Sequence, residues 1–195
     1  MDTMESYMRA QETFDAVVAA VPADGWDRPS VCTEWTVRDV AGHVVWGQRQ
    51  LRAWATGAEF SDRTGAPGAA HPAVQTGDDP VADWRTARAE ALAALDDKAL
   101  SRTTEIPGLG TIPIAGVLTI LTADQFVHAW DIAHGLGDDL NIDAVVIPEL
   151  FAWARKNVLR RPGFFGPELT PPAAADDQTR LLAFLGRAAW QPVAA

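Results

Sequence analysis

The chain has 195 residues and a formal net charge of −10. This length suits a single core, so we predict that residues 1–195 form one domain. The negative charge repels nucleic-acid phosphates and anionic membrane surfaces, so we expect neither as a partner.

Cys32 is the only cysteine, which excludes an intrachain disulfide, and residues 1–25 lack the pattern of a secretory signal. The longest apolar run is shorter than the roughly 20 residues that span a bilayer, and we expect a cytoplasmic protein.

Two helices are predicted in the first third of the chain. The first runs from about Asp2 to Val21, with apolar residues at helical spacing and a proline directly after it. The second begins after Thr36, an N-cap residue with Asp39 in the capping-box position, and runs to about Thr56. Gly, Ala and Pro dominate the stretch that follows, which predicts a long connection between helices two and three. Such a connection can span a whole helix, so these two helices are predicted to run parallel.

The rest of the chain is predicted to be helical as well. The third predicted helix is 79–99, the fourth begins near Thr111 with Pro113 in its first turn and ends at Gly135 or Gly137, and the fifth is 143–159. A short terminal helix, "DQTRLLAFLGR", follows. No stretch alternates with a period of two, so strands should be nearly absent. The sequence therefore predicts an all-α helical bundle.

A histidine lies in the middle of the second predicted helix. At about 100° per residue, His43 points away from Arg38, Arg49 and Arg52, which mark the solvent face. It therefore points into the bundle or along a seam between helices. A lone inward histidine is either a core residue with both ring nitrogens hydrogen-bonded or a ligand that acts with residues elsewhere.

The fourth predicted helix carries three polar side chains on one otherwise apolar face. Asp124 and His128 are about 40° apart around the helix, and Asp131 lies about 20° to the other side of Asp124. No Lys or Arg lies within this helix. A charged carboxylate on its inward face therefore needs a partner from another element or a bound cation.

Two interpretations account for these residues. In the first, a carboxylate and a histidine four residues apart hold a divalent metal ion together with a third ligand from another helix. The ligands would be His43, Asp124 and His128, and Asp131 would orient one of them. In the second, Asp124 or Asp131 pairs with an arginine of a neighbouring helix or a tryptophan N–H, and His128 completes a structural network. The presence of His43 favours the metal site.

Other side chains have less specific roles. Cys32 precedes the cap of the second helix and is either a nucleophile or a small buried hydrophobe. Trp46, Trp54 and Trp130 either line a pocket or simply pack in the core. The sequence has no HExxH, paired CxxC or P-loop motif, so the hydrolytic zincin, zinc-ribbon and P-loop nucleotide classes lack their required residues.

The segments "PSVCTEWTVRDVAGHVVWG" and "DQFVHAWDIAHGLG", followed by "FGPEL" and "RLLAFLGR", resemble the DinB-like superfamily. Within it, they are similar to the metal-binding proteins related to mycothiol-dependent maleylpyruvate isomerase. The resemblance implies a DinB-like four-helix bundle with a long connection between helices two and three and additional C-terminal helices. It also implies a divalent ion, usually zinc or nickel, held by His43, Asp124 and His128, with Asp131 in a supporting position.

The resemblance also carries an expectation about chemistry. The isomerase has Glu where this chain has Asp124, and it has an additional C-terminal domain for which this chain is too short, so metal binding is implied rather than the isomerase reaction itself. We expect a low-molecular-weight thiol, mycothiol by resemblance, to attack an electrophilic small-molecule substrate. Two alternatives stay open: a protein that sequesters a small molecule without turnover, and a metal-dependent hydrolase. A homodimer is compatible with each of them.

Overall fold

The structure, a computed structural model, describes residues 1–106, 108–160 and 163–191. These residues form seven α-helices, one 3₁₀ helix and one two-stranded antiparallel sheet. The first elements are α1 (Thr3–Ala20), α2 (Val37–Thr56), the 3₁₀ helix (Pro72–Gln75), α3 (Pro80–Ala93) and α4 (Asp97–Ser101). They are followed by β1 (Thr103–Ile106), β2 (Gly110–Pro113), α5 (Ile114–Leu136), α6 (Ile147–Asn157) and α7 (Asp177–Phe184). The mostly helical fold confirms the predicted all-α class.

Helices α1, α2, α3 and α5 form a four-helix bundle, in which α1 and α2 each pack against both α3 and α5. Helices α2 and α3 run in the same direction. Arg38, near the start of α2, donates to the carbonyl of Gly77 just before α3, and Arg52, near the end of α2, pairs with Glu90 near the end of α3. This confirms the prediction that the long connection joins two helices that run parallel.

The start of α2 follows from its capping box. The Thr36 hydroxyl accepts a hydrogen bond from the Asp39 N–H at 3.2 Å, and the Asp39 carboxylate accepts one from the Thr36 N–H at 3.0 Å. The other carboxylate oxygen of Asp39 accepts from the Ala73 N–H in the 3₁₀ helix. The Asp39 side chain therefore links the start of α2 to the 3₁₀ helix near the end of the long connection.

Several predicted boundaries are wrong in the middle of the chain. The third helix ends at Ala93 rather than near Ala99, because the Asp96 side chain accepts from the Ala99 N–H and caps the separate helix α4. A β-hairpin, 103–113, was not predicted. Its strands have only four residues each, which is too short for an alternating pattern to stand out.

The starts of α5 and α6 also differ from prediction. Pro113 ends β2 and lies at the N-cap of α5, so that helix begins at Ile114 rather than near Thr111. The fifth predicted helix begins at Ile147 rather than at Asp143. The Asp143 side chain accepts from the Val145 N–H and pairs with an arginine of α1, which holds this segment outside the helix.

The last two helices cover the outer face of α5. Phe126, Val127 and Trp130 of α5 share one apolar cluster with Leu150 of α6 and Leu182 of α7. This packing agrees with the expected additional C-terminal helices. Among the helices in the described part of the chain, none has the length and apolar character needed to cross a membrane.

Gly42 allows the long connection to lie directly against α2. A Cβ at this position would clash with the carbonyl oxygen of Pro72 and would lie 3.0 Å from the Ala73 nitrogen. Because the backbone must move to relieve such an overlap, we expect Gly42→Ala to lower the free energy of unfolding by about 1–3 kcal/mol. Urea denaturation followed by circular dichroism measures this change.

Gly47→Ala is the matched control on the same helix. Its Cβ would lie 3.6 Å from a methyl group of Leu121, an ordinary contact, and Ala is favoured over Gly inside a helix by up to about 1 kcal/mol. We therefore expect Gly47→Ala to be neutral or stabilising. Equal stabilities of the two variants would show that Gly42 has no special role in the packing of the connection.

Candidate metal centre

Three side chains from two helices converge where α2 meets α5. Nε2 of His43 and Nε2 of His128 each lie 3.4 Å from Oδ1 of Asp124. The three atoms all lie within 4.8 Å of one another. Both histidines are buried, whereas the Asp124 side chain is 23% exposed. The structure therefore brings together the three residues that the sequence singled out as ligands.

The long connection orients His43. Its Nδ1 lies 2.6 Å from the carbonyl oxygen of Gly65. A carbonyl only accepts hydrogen bonds, so Nδ1 carries the hydrogen and Nε2 of the neutral ring presents a lone pair to Asp124. The rings of Trp35 and Trp46 pack against the imidazole, with centroids 5.2 Å and 6.3 Å away.

Asp131 orients His128 in the same way. Nδ1 of His128 donates to Oδ2 of Asp131 at 2.9 Å, which leaves Nε2 of the neutral ring as an acceptor facing Asp124. The thiol of Cys32 donates to the same Oδ2 atom at 3.2 Å. Asp131 is fully buried and has the supporting position that the sequence assigned to it.

Arg187, which the sequence reasoning did not identify, completes this network. Its Nε donates to Oδ1 of Asp131 at 3.0 Å and its Nη2 donates to Oδ2 at 2.7 Å. Burial alone would raise the pKa of Asp131, but Arg187 and the hydrogen bond from His128 hold it well below its usual range. Asp131 thus has the arginine partner considered in the second interpretation, although the arginine follows α7 instead of lying on a bundle helix.

The cluster around Asp124 favours a positive charge at its centre. Burial raises the pKa of Asp124, but the nearby His128 and His43 lower it well below its usual range. Burial lowers the pKa of His128, and Asp124 more than offsets this, so the pKa lies well above the ordinary histidine value. Either a proton on His128 or a metal cation can supply this charge.

The distances from Oδ1 of Asp124 to the two Nε2 atoms suit a tetrahedral metal ion. Two ligand atoms about 2.05 Å from zinc lie about 3.4 Å apart at the tetrahedral angle, and both Nε2–Oδ1 distances in this structure are 3.4 Å. An ordinary N–H···O hydrogen bond is shorter, at about 2.7–3.2 Å. Two imidazoles and one carboxylate are also a common donor set for catalytic zinc. His43, Asp124 and His128 therefore fit a divalent ion.

A second group, Cys32, His128 and Asp131, also places three donor atoms within 4.8 Å. It suits an ion less well. Arg187 already neutralises the Asp131 carboxylate, and burial and the Asp131 charge both raise the pKa of the Cys32 thiol. A thiol must lose its proton to bind a metal. We therefore treat this group as the support of the His128 ring.

A cavity of about 1070 Å³ opens beside His43, Asp124 and His128. The tryptophans that line it are Trp35 and Trp153. The tryptophans proposed from the sequence are not among its lining residues: Trp46 stacks on His43, Trp130 stacks on His134 one turn further along α5, and Trp54 packs on the apolar core.

Comparison with known proteins identifies relatives over most of the chain. Residues 7–133 match the family described as the mycothiol maleylpyruvate isomerase N-terminal domain. The uncharacterized protein Rv0738 of Mycobacterium tuberculosis is 35% identical over 192 residues, which cover 96% of this chain and 98% of that protein. The uncharacterized protein Rv0036c of the same organism is 30% identical over 148 residues, which cover 67% of this chain and 55% of that protein.

A solved structure has the same fold. The crystal structure of a mutant of the mycothiol-dependent maleylpyruvate isomerase superposes with a TM-score of 0.58 at 17% sequence identity, and the match covers 78% of this chain and 69% of that one. The shared fold confirms the DinB-like resemblance. Because the family match extends over well more than half of the sequence, the chain belongs to the mycothiol maleylpyruvate isomerase N-terminal domain family.

Proposed function

We propose that the protein binds one divalent ion, zinc or nickel, through His43, Asp124 and His128, and that it uses mycothiol to transform an electrophilic small molecule by transfer or isomerisation. One observation carries this proposal. Two Nε2 atoms and one carboxylate oxygen converge on one point in the wall of a large cavity. The names of the matched family and of the structural relative support mycothiol as the thiol.

Three protein ligands leave an open position for an exogenous molecule in a tetrahedral site. When bound there, a divalent ion supplies a strong local positive charge, which lowers the pKa of a coordinated thiol and makes thiolate abundant at neutral pH. The protein holds the ligand atoms in place for this. Gly65 fixes the His43 ring through its carbonyl, and Asp131 fixes the His128 ring through its carboxylate.

Cys32 is poorly suited to act as the nucleophile itself. Its thiol donates to the Asp131 carboxylate, and burial raises the pKa of the thiol, so little thiolate forms at neutral pH. A nucleophile from solution is therefore the better candidate. Trp35 can shield it from water, because its indole N–H donates to the Ala69 carbonyl and its ring lies 5.2 Å from the His43 ring and 6.4 Å from the His128 ring.

The proposal is tested by assaying a panel of electrophiles with and without mycothiol, using metal-loaded protein. We expect consumption of at least one electrophile to require the thiol. It should fall to the level without protein in His43→Ala, because that variant lacks a ligand, and it should persist in the matched Cys32→Ala variant, because the thiol comes from solution.

Two other results would contradict the proposal in different ways. Equal rates with and without thiol would indicate a hydrolase that uses water as the nucleophile. Tight binding of small molecules without turnover of any electrophile would indicate a sequestration protein.

A further inference from the structure

A large part of the cavity lining is apolar. This apolar wall is built by Ile120 and Val127 of α5, Leu150 and Trp153 of α6, and Leu185 after α7. Helices α6 and α7 lie beyond residues 7–133, the region that matches the family. The part of the chain outside the family match therefore makes much of this wall.

The charges around the cavity are unevenly distributed. Arg187 contributes a guanidinium to the lining, but its Nε and Nη2 bind Asp131 and its Nη1 donates to the Leu185 carbonyl. Glu34 and Asp124 add carboxylates to the lining. A carboxylate of a substrate placed against the apolar wall would lose its hydration, and the described lining offers it no lysine and no arginine that is free of other partners, which is unfavourable.

The volume leaves room for two molecules. Pockets that hold one drug-sized ligand usually measure about 300–1,000 Å³, and this cavity measures about 1070 Å³. A small thiol beside His43, Asp124 and His128 can therefore share the cavity with a second molecule that lies against Trp153. Aromatic side chains favour flat apolar groups by stacking or edge contacts.

We propose that the second molecule is a neutral, largely apolar electrophile with an aromatic or branched aliphatic body, which lies against the wall formed by α5, α6 and the segment after α7. This inference rests on the proposed function. It differs from the substrate named for the structural relative, because maleylpyruvate carries two carboxylates. Residues outside the family match, on α6 and after α7, thus contribute to the substrate preference of this chain.

Binding to metal-free protein without thiol tests this inference independently of any catalysis. The probes are a neutral naphthalene derivative and the matching naphthalene dicarboxylate, titrated by fluorescence. We expect the neutral probe to bind wild-type protein at least about tenfold more tightly, which corresponds to about 1.4 kcal/mol. Equal or tighter binding of the dicarboxylate would overturn the inference, and so would the absence of binding by both probes.

A variant that adds a positive charge to the apolar wall tests whether the probe binds there. Trp153 is half-buried on α6 and lies outside the group of metal ligands. Trp153→Arg should weaken the neutral probe by about tenfold or more and strengthen the dicarboxylate, because the wall then carries a cation. Trp153→Met, a flexible apolar control, should keep the preference for the neutral probe. If the probe preference is the same in both variants, the probe does not lie against this wall.

Turnover assays separate failure of this inference from failure of the proposed function. If the neutral probe binds as expected but no electrophile is consumed with thiol and metal, the proposed function fails and the apolar preference stands. If thiol-dependent turnover is faster with dicarboxylate electrophiles than with neutral aromatic ones, the proposed function stands and this inference is wrong.

Discussion

Replacing His128 with Ala should remove the metal ion from the protein. Purified wild-type protein is expected to contain about one divalent ion per chain, and His128→Ala and Asp124→Ala are expected to contain almost none, because each loses one of three protein ligands. Asp131→Ala should retain the site with affinity reduced about 10- to 100-fold, since Asp131 only orients the His128 ring. Elemental analysis and competition with a chelator measure these effects.

His134→Ala is the matched control for these variants. This histidine lies on the same helix as His128, but its Nε2 bonds to the carbonyl of Gln191 and it belongs to neither candidate ligand group. Its loss should leave the metal content unchanged. Full metal occupancy in His128→Ala would show that the ligands are wrongly assigned.

Replacing Arg187 with Met should destabilise the protein more than any surface substitution. Asp131 has no solvent exposure and accepts two hydrogen bonds from the guanidinium. Removing one partner of such a buried pair typically costs about 3–5 kcal/mol, because the remaining charge is buried without compensation. Because Arg187 holds the pKa of Asp131 low, the carboxyl is ionised at neutral pH, where urea denaturation of metal-free protein shows the full effect.

Two further variants identify the cause of this loss. Arg180→Met removes an exposed arginine of α7 that pairs with Asp177 at the surface, and it should change stability by no more than about 0.5 kcal/mol. Adding Asp131→Asn to Arg187→Met should restore part of the lost stability, because no unpaired charge remains in the interior. A loss in Arg187→Met no larger than that in Arg180→Met would mean that the buried pair contributes little.

The convergence of the three candidate ligands was predictable because it depends on helix periodicity. The capping box at Thr36 shows that the segment around His43 is helical, and the helical spacing of His43 from Arg38, Arg49 and Arg52 places it on the inward face. The four-residue spacing of Asp124 and His128 places both on one face of α5 wherever that helix begins, so the error of about three residues at its start did not matter.

Apart from Asp131, the groups that support the candidate ligands could not be predicted in the same way. The Gly65 carbonyl and Arg187 belong to segments outside the regular helices, and no periodic pattern indicates where such segments lie in space. The same limit applies to Trp35 and Trp153, whose position in the cavity depends on how the long connection and α6 pack. Arg187 is the last residue of "RLLAFLGR", one of the segments that carry the family resemblance, but that resemblance gives the arginine no role.

Titration of cobalt-substituted protein with mycothiol tests the central claim most directly. We predict a new thiolate-to-cobalt absorption band that saturates at about one thiol per chain, because three protein ligands leave a coordination position for an exogenous thiol. The band should be absent in His128→Ala and present in His134→Ala. Cobalt-loaded wild-type protein that shows no such band at saturating mycothiol would contradict the account.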